Sequence, residues 1–284
     1  MWRMKELSQN VLIWFDGSFL WPDEVHLSFR DFQDQIYGAV YETIRTYDLR
    51  PFALKKHFER MKRSLKFLRE EPVLDFKSFL RIVSEGVERL KSESRIQVFQ
   101  IPRSGKIFFI FSKLENVDVS QGVKVGISTI RKADALSIPP QLKITARADI
   151  LLARSLIGDN YDSIMLGTKG QICEGTFSNV FIVNKGKIIT PSMDSGILDG
   201  VTRENVIALA KELGIPVEEK WVELKDIINA DEVFLTHTSV GIVPVRYIEE
   251  RVRFETGKGT LTDELRKNFE NFIKERKENW EGIL

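Results

Sequence analysis

One cysteine and three histidines are all the thiol and imidazole chemistry available in 284 residues. A lone Cys173 excludes an internal disulfide framework and a thiolate zinc cluster, and it suits a reducing cytosol. His26, His57 and His237 lie far apart with no HExxH or similar spacing, so a histidine-built metal site is not signalled. An excess of one charge is also missing. With 42 Lys+Arg against 41 Asp+Glu, the net charge of +1 provides no overall field for nucleic acid or anionic lipid. Any anion must therefore be held by a local site. Long apolar runs are absent: Ile107-Phe108-Phe109-Ile110-Phe111 has the length of a strand, well short of the roughly 20 residues that span a bilayer. The first 17 residues hold too short an apolar run for a signal peptide and no small-residue cleavage site, which leads us to expect a cytoplasmic protein. Neither G-x-G-x-x-G nor G-x-x-x-x-G-K-[ST] occurs, so no nicotinamide or ATP site is announced.

What is present is the composition of a folded protein, 43% hydrophobic and 29% charged, at a length comfortable for two domains. Residues 11–20 read as a hairpin around Asp16-Gly17, a pair that accepts the positive φ angles of a type I′ turn. A strand over 40–46 follows. Leu54, Phe58, Met61, Leu65 and Leu68 recur every three or four residues and predict a helix over 53–70, with His57, Arg60 and Ser64 along one flank. A second helix is expected over 75–91, then strands over 95–101 and 106–112 joined by Pro102-Arg103-Ser104-Gly105. These elements make a small α+β domain, residues 1–112. Residues 113–122 are polar and aperiodic and read as a linker. The larger α/β domain, 123–284, is expected to hold strands over 123–129, 163–166, 171–174, 179–183, 187–190 and 232–236, and helices over 145–157, 202–213 and 261–277.

Four local features carry chemical meaning. Ser195-Gly196-Ile197-Leu198-Asp199-Gly200-Val201-Thr202-Arg203 leads through a glycine-containing turn into a helix, whose exposed N–H groups and dipole suit a phosphate. Phe234-Leu235-Thr236-His237-Thr238-Ser239-Val240 ends a strand in hydroxyl donors. Glu174 places a carboxylate at a strand edge before Gly175-Thr176-Phe177-Ser178-Asn179. Lys143 is the only charged residue between Asp134 and Arg147, the setting in which a lysine amine becomes a nucleophile. Each has an ordinary reading by itself: helix capping, a Ser/Thr turn, a surface charge, a loop lysine.

Together, in this order, these segments resemble the class IV (fold type IV) pyridoxal-phosphate enzymes, which include branched-chain aminotransferases, D-amino-acid aminotransferases and aminodeoxychorismate lyases. The resemblance runs from Val11 to Arg246 and includes Thr190-Pro191, Val40-Tyr41-Glu42-Thr43-Ile44-Arg45 and His57-Phe58-Glu59-Arg60-Met61-Lys62-Arg63-Ser64. It implies a two-domain enzyme with pyridoxal 5'-phosphate at the domain interface and Lys143 as the lysine of the internal aldimine. It further implies Glu174 at the pyridine nitrogen, and Arg60, Leu198, Val201, Thr202 and Thr238 at the phosphate. Relatives are homodimers, so a homodimer is expected.

Departures from the family pattern bear on the substrate. Many relatives carry Asn or Tyr four or five residues after the lysine, where this chain has Arg147 and Ala148, and Arg147 is a candidate donor to the ring oxygen. Gly-Asp-Gly is missing before Val40. No Arg-x-His pair lies near 103–111, Arg103-Ser104-Gly105-Lys106 is not the Arg-Gly-Tyr segment of the lyases, and Arg95-Ile96-Gln97 is not the Tyr-x-Arg of many branched-chain enzymes. Elimination, with Tyr41 and Arg45 in the block that lines the substrate pocket of the branched-chain enzymes, favours transamination of a branched-chain L-amino acid with a 2-oxo acid such as 2-oxoglutarate, with Tyr41, Arg45, Thr238 and Ser239 as the candidate substrate residues. The alternatives are an aminodeoxychorismate lyase, a D-amino-acid aminotransferase, or a catalytically silent dimeric binding module.

Overall fold

A computed structural model describes residues 10–26, 28–29 and 38–282; residues 1–9 of the amino-terminal run lie outside them. The chain forms two compact units. The first comprises the chain up to Asn116, Leu142–Ala146 and the stretch from Arg276 onward, and the second comprises Val117–Gln141 and Arg147–Glu275. This differs from the contiguous division expected with a linker at 113–122. Backbone pairing is the reason: Ile144 bridges Val40, and the N–H groups of Tyr41 and Thr145 donate to the carbonyls of Lys143 and Ala39 at 3.1 and 2.9 Å. The carboxyl-terminal stretch joins the same unit where Ala53 N–H donates to Asn279 O at 2.9 Å.

The first unit is an antiparallel sheet with helices on one face, the α+β arrangement. Its strands are β1 (Val11–Phe15), β2 (Ser18–Leu20), β3 (Val40–Tyr47), β4 (Arg50–Pro51), β5 (Ser94–Ile101) and β6 (Lys106–Lys113), in the order β2-β1-β6-β5-β3-β4. Asp16 and Gly17 join β1 to β2 at φ 50° and 84°, as a type I′ turn requires. Along β3, Val40, Glu42, Ile44 and Thr46 are buried while Tyr41, Thr43 and Arg45 are half-buried, the period of two that separates the faces of a sheet. Helices α1 (Leu54–Phe67) and α2 (Phe76–Leu90) cover the buried face. Phe79 joins them to the sheet, with ring centroids 5.2 Å from Phe58 and 5.1 Å from Phe109.

The second unit holds β7 (Val123–Ile127), α3 (Ala148–Ser155), β8 (Asp162–Leu166), β9 (Ile172–Gly175), β10 (Asn179–Asn184), β11 (Lys187–Pro191) and α4 (Val201–Glu212). After these come β12 (Val217–Lys220), α5 (Leu224–Ile228), β13 (Glu232–His237), β14 (Gly241–Ile248), β15 (Val252–Arg253) and α6 (Leu261–Glu275). Its sheet runs β12-β11-β10-β13-β14-β7-β8-β9, with β15 on β14. Pairing is mixed: β7 is parallel to β8 and β14, and most other neighbours are antiparallel. Val125, Ile164, Ile172, Val180, Val233 and Val243 fill its core. The helix expected over 145–157 starts at Ala148, because the preceding residues are extended against β3. Strand β14 is an addition to the expected elements, since Pro244 argues against a central strand. It is accommodated because pairing with β7 begins only at Val245.

Candidate functional site

In the first unit the site is built on β3 and α1. Val40 and Ile144 bridge the Lys143 segment to β3, and Lys143 N–H donates to Ser64 Oγ at 3.1 Å. Gly38 lets this segment approach: its φ is +89°, and a Cβ there would lie 2.6 Å from Ala146 Cβ. The Lys143 ammonium sits 4.2 Å from the centroid of Tyr41, a cation–π contact. Tyr41, Phe99 and Phe108 stack across three neighbouring strands, with centroids 6.1 and 5.0 Å apart, and present a half-buried aromatic row beside that amine. Arg45 shares the face with Tyr41 but lies four positions along, about 13 Å away by strand rise, with its guanidinium 3.8 Å over Tyr47.

On the opposite face of β3, Arg60 is 4% exposed and pairs with the fully buried Glu42 through two hydrogen bonds, Nε to Oε1 at 2.8 Å and Nη2 to Oε2 at 2.7 Å. His57 Nδ1 is 2.8 Å from Glu42 Oε2. Burial alone would push the Glu42 carboxyl up, but Arg60 and His57 outweigh it and hold it well below the usual carboxylate range. Burial also pushes the His57 imidazole down despite the facing carboxylate. The Arg60 expected at the phosphate thus has its charge offset by a carboxylate, which sequence reasoning did not foresee.

In the second unit, β9 and β10 present Glu174 and Asn179. Glu174 Oε2 accepts from Leu198 N–H at 2.8 Å and from Asn179 Nδ2 at 3.2 Å, while Oε1 pairs with the buried ammonium of Lys132. Asn179 Nδ2 also donates to Leu198 O at 3.1 Å, tying the strand to the turn before α4. Asp162 shapes the intervening turn, accepting from Thr176 N–H and Oγ1 at 2.9 and 2.7 Å and from Ser178 Oγ at 2.6 Å. Burial raises the Asp162 carboxyl against these bonds. At the start of α4, Gly200 provides no side-chain cap, and a Cβ there would collide with Asn179 Oδ1. The first-turn N–H groups of Val201 and Thr202 are thereby left for an anion. Thr238 and Ser239 are half-buried in the turn between β13 and β14.

Two further residues qualify the expectations. Arg147 donates Nε and Nη2 to Asp149 at 2.9 and 2.6 Å and so braces the loop whose Ala133 N–H also reaches Asp149. Lys132 escapes sequence reasoning, and nothing in its local sequence marks it: its partner lies 42 residues on.

The groups present fit pyridoxal phosphate. A carboxylate held by fixed donors matches a protonated ring nitrogen, a glycine-capped helix start with a Thr hydroxyl matches a phosphate dianion, and a primary amine matches an aldehyde.

Comparison with known proteins agrees. The profile of the family Amino-transferase class IV matches residues 39–248. A protein of Thermotoga maritima, named a probable branched-chain-amino-acid aminotransferase, is 52% identical over 96% of this chain and 100% of its own length. A crystal structure of a Thermotoga maritima protein, provisionally assigned as a branched-chain amino acid aminotransferase, superposes with a TM-score of 0.94 at 52% identity, covering 96% of this chain and 99% of that one. The Escherichia coli branched-chain amino acid aminotransferase superposes with a TM-score of 0.81 at 25% identity, over 93% of this chain and 95% of that one. A further branched-chain aminotransferase, crystallised with pyridoxamine 5'-phosphate, superposes with a TM-score of 0.85 at 25% identity, over 96% and 97% of the two chains. From its residues, its fold and these relatives, the chain belongs to the class IV aminotransferases, which use pyridoxal phosphate.

Proposed function

We propose that this aminotransferase moves the amino group of a branched-chain L-amino acid to a 2-oxo acid such as 2-oxoglutarate, by a ping-pong route. The observation that carries the reading is the pair of preorganised sets: Lys143 fixed on β3 beside an aromatic row, and Glu174 fixed by three donors beside the start of α4. When bound, pyridoxal phosphate supplies an aldehyde that accepts the amino group and a ring that draws electrons from the substrate's Cα. Lys143 Nζ takes the proton from that carbon and returns it. Glu174 accepts the hydrogen bond of the ring nitrogen and keeps a proton there. Val201 and Thr202 N–H groups, with the hydroxyls of Thr202 and Thr238, donate to the phosphate, and the start of Leu198-Asp199-Gly200 positions them. Arg60 adds charge at the phosphate, tempered by Glu42.

Substrate choice rests on apolar surface. The Tyr41-Phe99-Phe108 row offers rings to an apolar side chain, which suits leucine-like substrates, and the relatives' names point the same way. Ser239 is assigned to the carboxylate end, while Arg45, four positions along β3 from Tyr41 and over Tyr47, is assigned to the outer end of the substrate face. A homodimer and a cytoplasmic location complete the proposal. Leu136, Leu151, Leu152 and Leu156, each more than half exposed, support a covered surface in a second copy, and the lone, unbridged Cys173 supports a reducing compartment. Sedimentation velocity of the holoenzyme checks the dimer, with a single species of twice the chain mass expected.

The decisive experiment is optical. Wild-type protein incubated with pyridoxal phosphate should gain visible absorbance, and borohydride should fix the added mass on Lys143. Lys143→Ala should bind the cofactor without that band and lose turnover by at least about 10³-fold. A panel of L-leucine, L-glutamate, D-alanine and aminodeoxychorismate identifies the reaction. Activity confined to D-alanine or to pyruvate release from aminodeoxychorismate would replace this reading.

A further inference from the structure

Lys132 is 2% exposed, and its ammonium meets Glu174, which is 8% exposed. The backbone fixes its placement: Lys132 N–H donates to Leu166 O at 2.9 Å, and the next peptide N–H, of Ala133, is held by Asp149 Oδ2 at 2.8 Å. Asp149 is in turn gripped by Arg147. A buried lysine so anchored is not a solvent-facing charge that happens to fold inward.

The arrangement has a consequence for Glu174. A carboxylate offers about four acceptor positions. Leu198 N–H and Asn179 Nδ2 both take Oε2, and Lys132 takes Oε1. A protonated ring nitrogen must therefore approach the oxygen that already carries an ammonium. Two cations at one oxygen in a buried setting repel each other, and each weakens the other's hold. We propose that Lys132 and the ring nitrogen of pyridoxal phosphate compete for Glu174. Lys132 holds the carboxylate in place in the cofactor-free protein, as a buried charge requires a partner. Once the cofactor is present, Lys132 loosens its attachment, making Lys132 a positioning residue for the electron-withdrawing end of the reaction.

This inference rests on the reading of Glu174 as the ring-nitrogen partner, and the test separates the two. Wild type, K132M, E174Q and K132M/E174Q are prepared free of cofactor, and pyridoxal phosphate binding is titrated by absorbance while thermal midpoints are recorded with and without saturating cofactor. K132M should show a lower cofactor-free midpoint than wild type, a smaller gap at saturation, and a dissociation constant about tenfold lower. In the E174Q background the Lys132 substitution should change the dissociation constant less than twofold. K132R, which retains the charge, should keep the wild-type cofactor-free midpoint. If K132M does not fold, K132Q takes its place with the same expected tightening, since it keeps a donor to Oε1 without the charge. Equal or weaker binding by the neutral variants, or an equal change in both Glu174 backgrounds, overturns the competition while leaving the cofactor assignment intact. Failure of the wild type to bind pyridoxal phosphate at all would instead overturn the function.

Discussion

Cys173 stands next to Glu174 on β9, yet its chemistry is suppressed by its surroundings. It is 2% exposed, its thiol donates to Ser195 O at 2.9 Å, and burial pushes its pKa up to about 11 against the pull of Lys132. The thiolate is the reactive form, so a thiol held this far up and this deep is inert. Native protein should show no reaction with a thiol reagent such as DTNB over an hour at pH 8, and one equivalent should appear in guanidinium. Fast native labelling would mean that β9 opens and would undercut the rigidity assigned to Glu174. Residues differ in how far sequence exposes them. Lys143 and Glu174 can be singled out as candidates from sequence because each sits in a run of distinctive neighbours. Lys132, Asp162 and Glu42 cannot be, because their roles come from partners 42, 14 and 18 residues away that only the folded sheets bring near. Arg147 pairs with Asp149 only two positions on, but the loop that this pair holds through Ala133 N–H is brought to it by the fold.

Elements with one clear period were the easiest to read. Helices α1 and α2 lie where three-four spacing puts them, because each buries a single face, and the hairpin lies where two apolar runs flank Asp16-Gly17. Strands β8, β9 and β10, buried along almost their whole length, show no alternation and had to be read from their glycine turns. Within α2, Gly86 is a helix-interior glycine that propensity alone would replace, with Ala gaining about 1 kcal/mol. Packing decides the opposite. A Cβ at Gly86 would overlap the ring of Phe111, itself fully buried on β6 between helix and sheet. Neither the ring nor the helix backbone has room to give, so Gly86→Ala should destabilise by about 1–3 kcal/mol as overpacking. Urea denaturation checks it: a midpoint at or above that of the wild type would show that α2 can slide away from Phe111.

At the scale of the whole molecule, near-neutral charge leaves stability to be governed by a few buried carboxylates rather than by bulk repulsion. Glu42 in the first unit and Asp149 in the second are both held below their ordinary values. For Asp149, burial would raise the carboxyl, but the Arg147 guanidinium and the Ala133 N–H bring it down from 3.8 to about 2. A carboxyl depressed in the fold binds fewer protons there than in the unfolded chain. Its stabilisation is therefore present above about pH 4 and is lost as pH falls toward 2. Asp162 has the opposite sign, since burial raises it: its contribution is complete below the unfolded value and fades as pH rises through the folded one. Among the described residues Glu42, Asp75, Asp118, Asp134, Asp149, Glu218, Glu250 and Glu278 are all depressed against the one raised Asp162, so acid is destabilising. Asp149→Asn removes one of the depressed carboxyls. The variant should be less stable than wild type at pH 7 by about 1–2 kcal/mol after solvent screening, with the gap closing as pH falls from about 4 to 2. Urea midpoints measured at half-unit intervals across that range, with cofactor absent, read the gap directly. A gap that stays constant down to about pH 2 would mean that Asp149 contributes packing alone, and that the brace on the Lys132 loop does not depend on its charge.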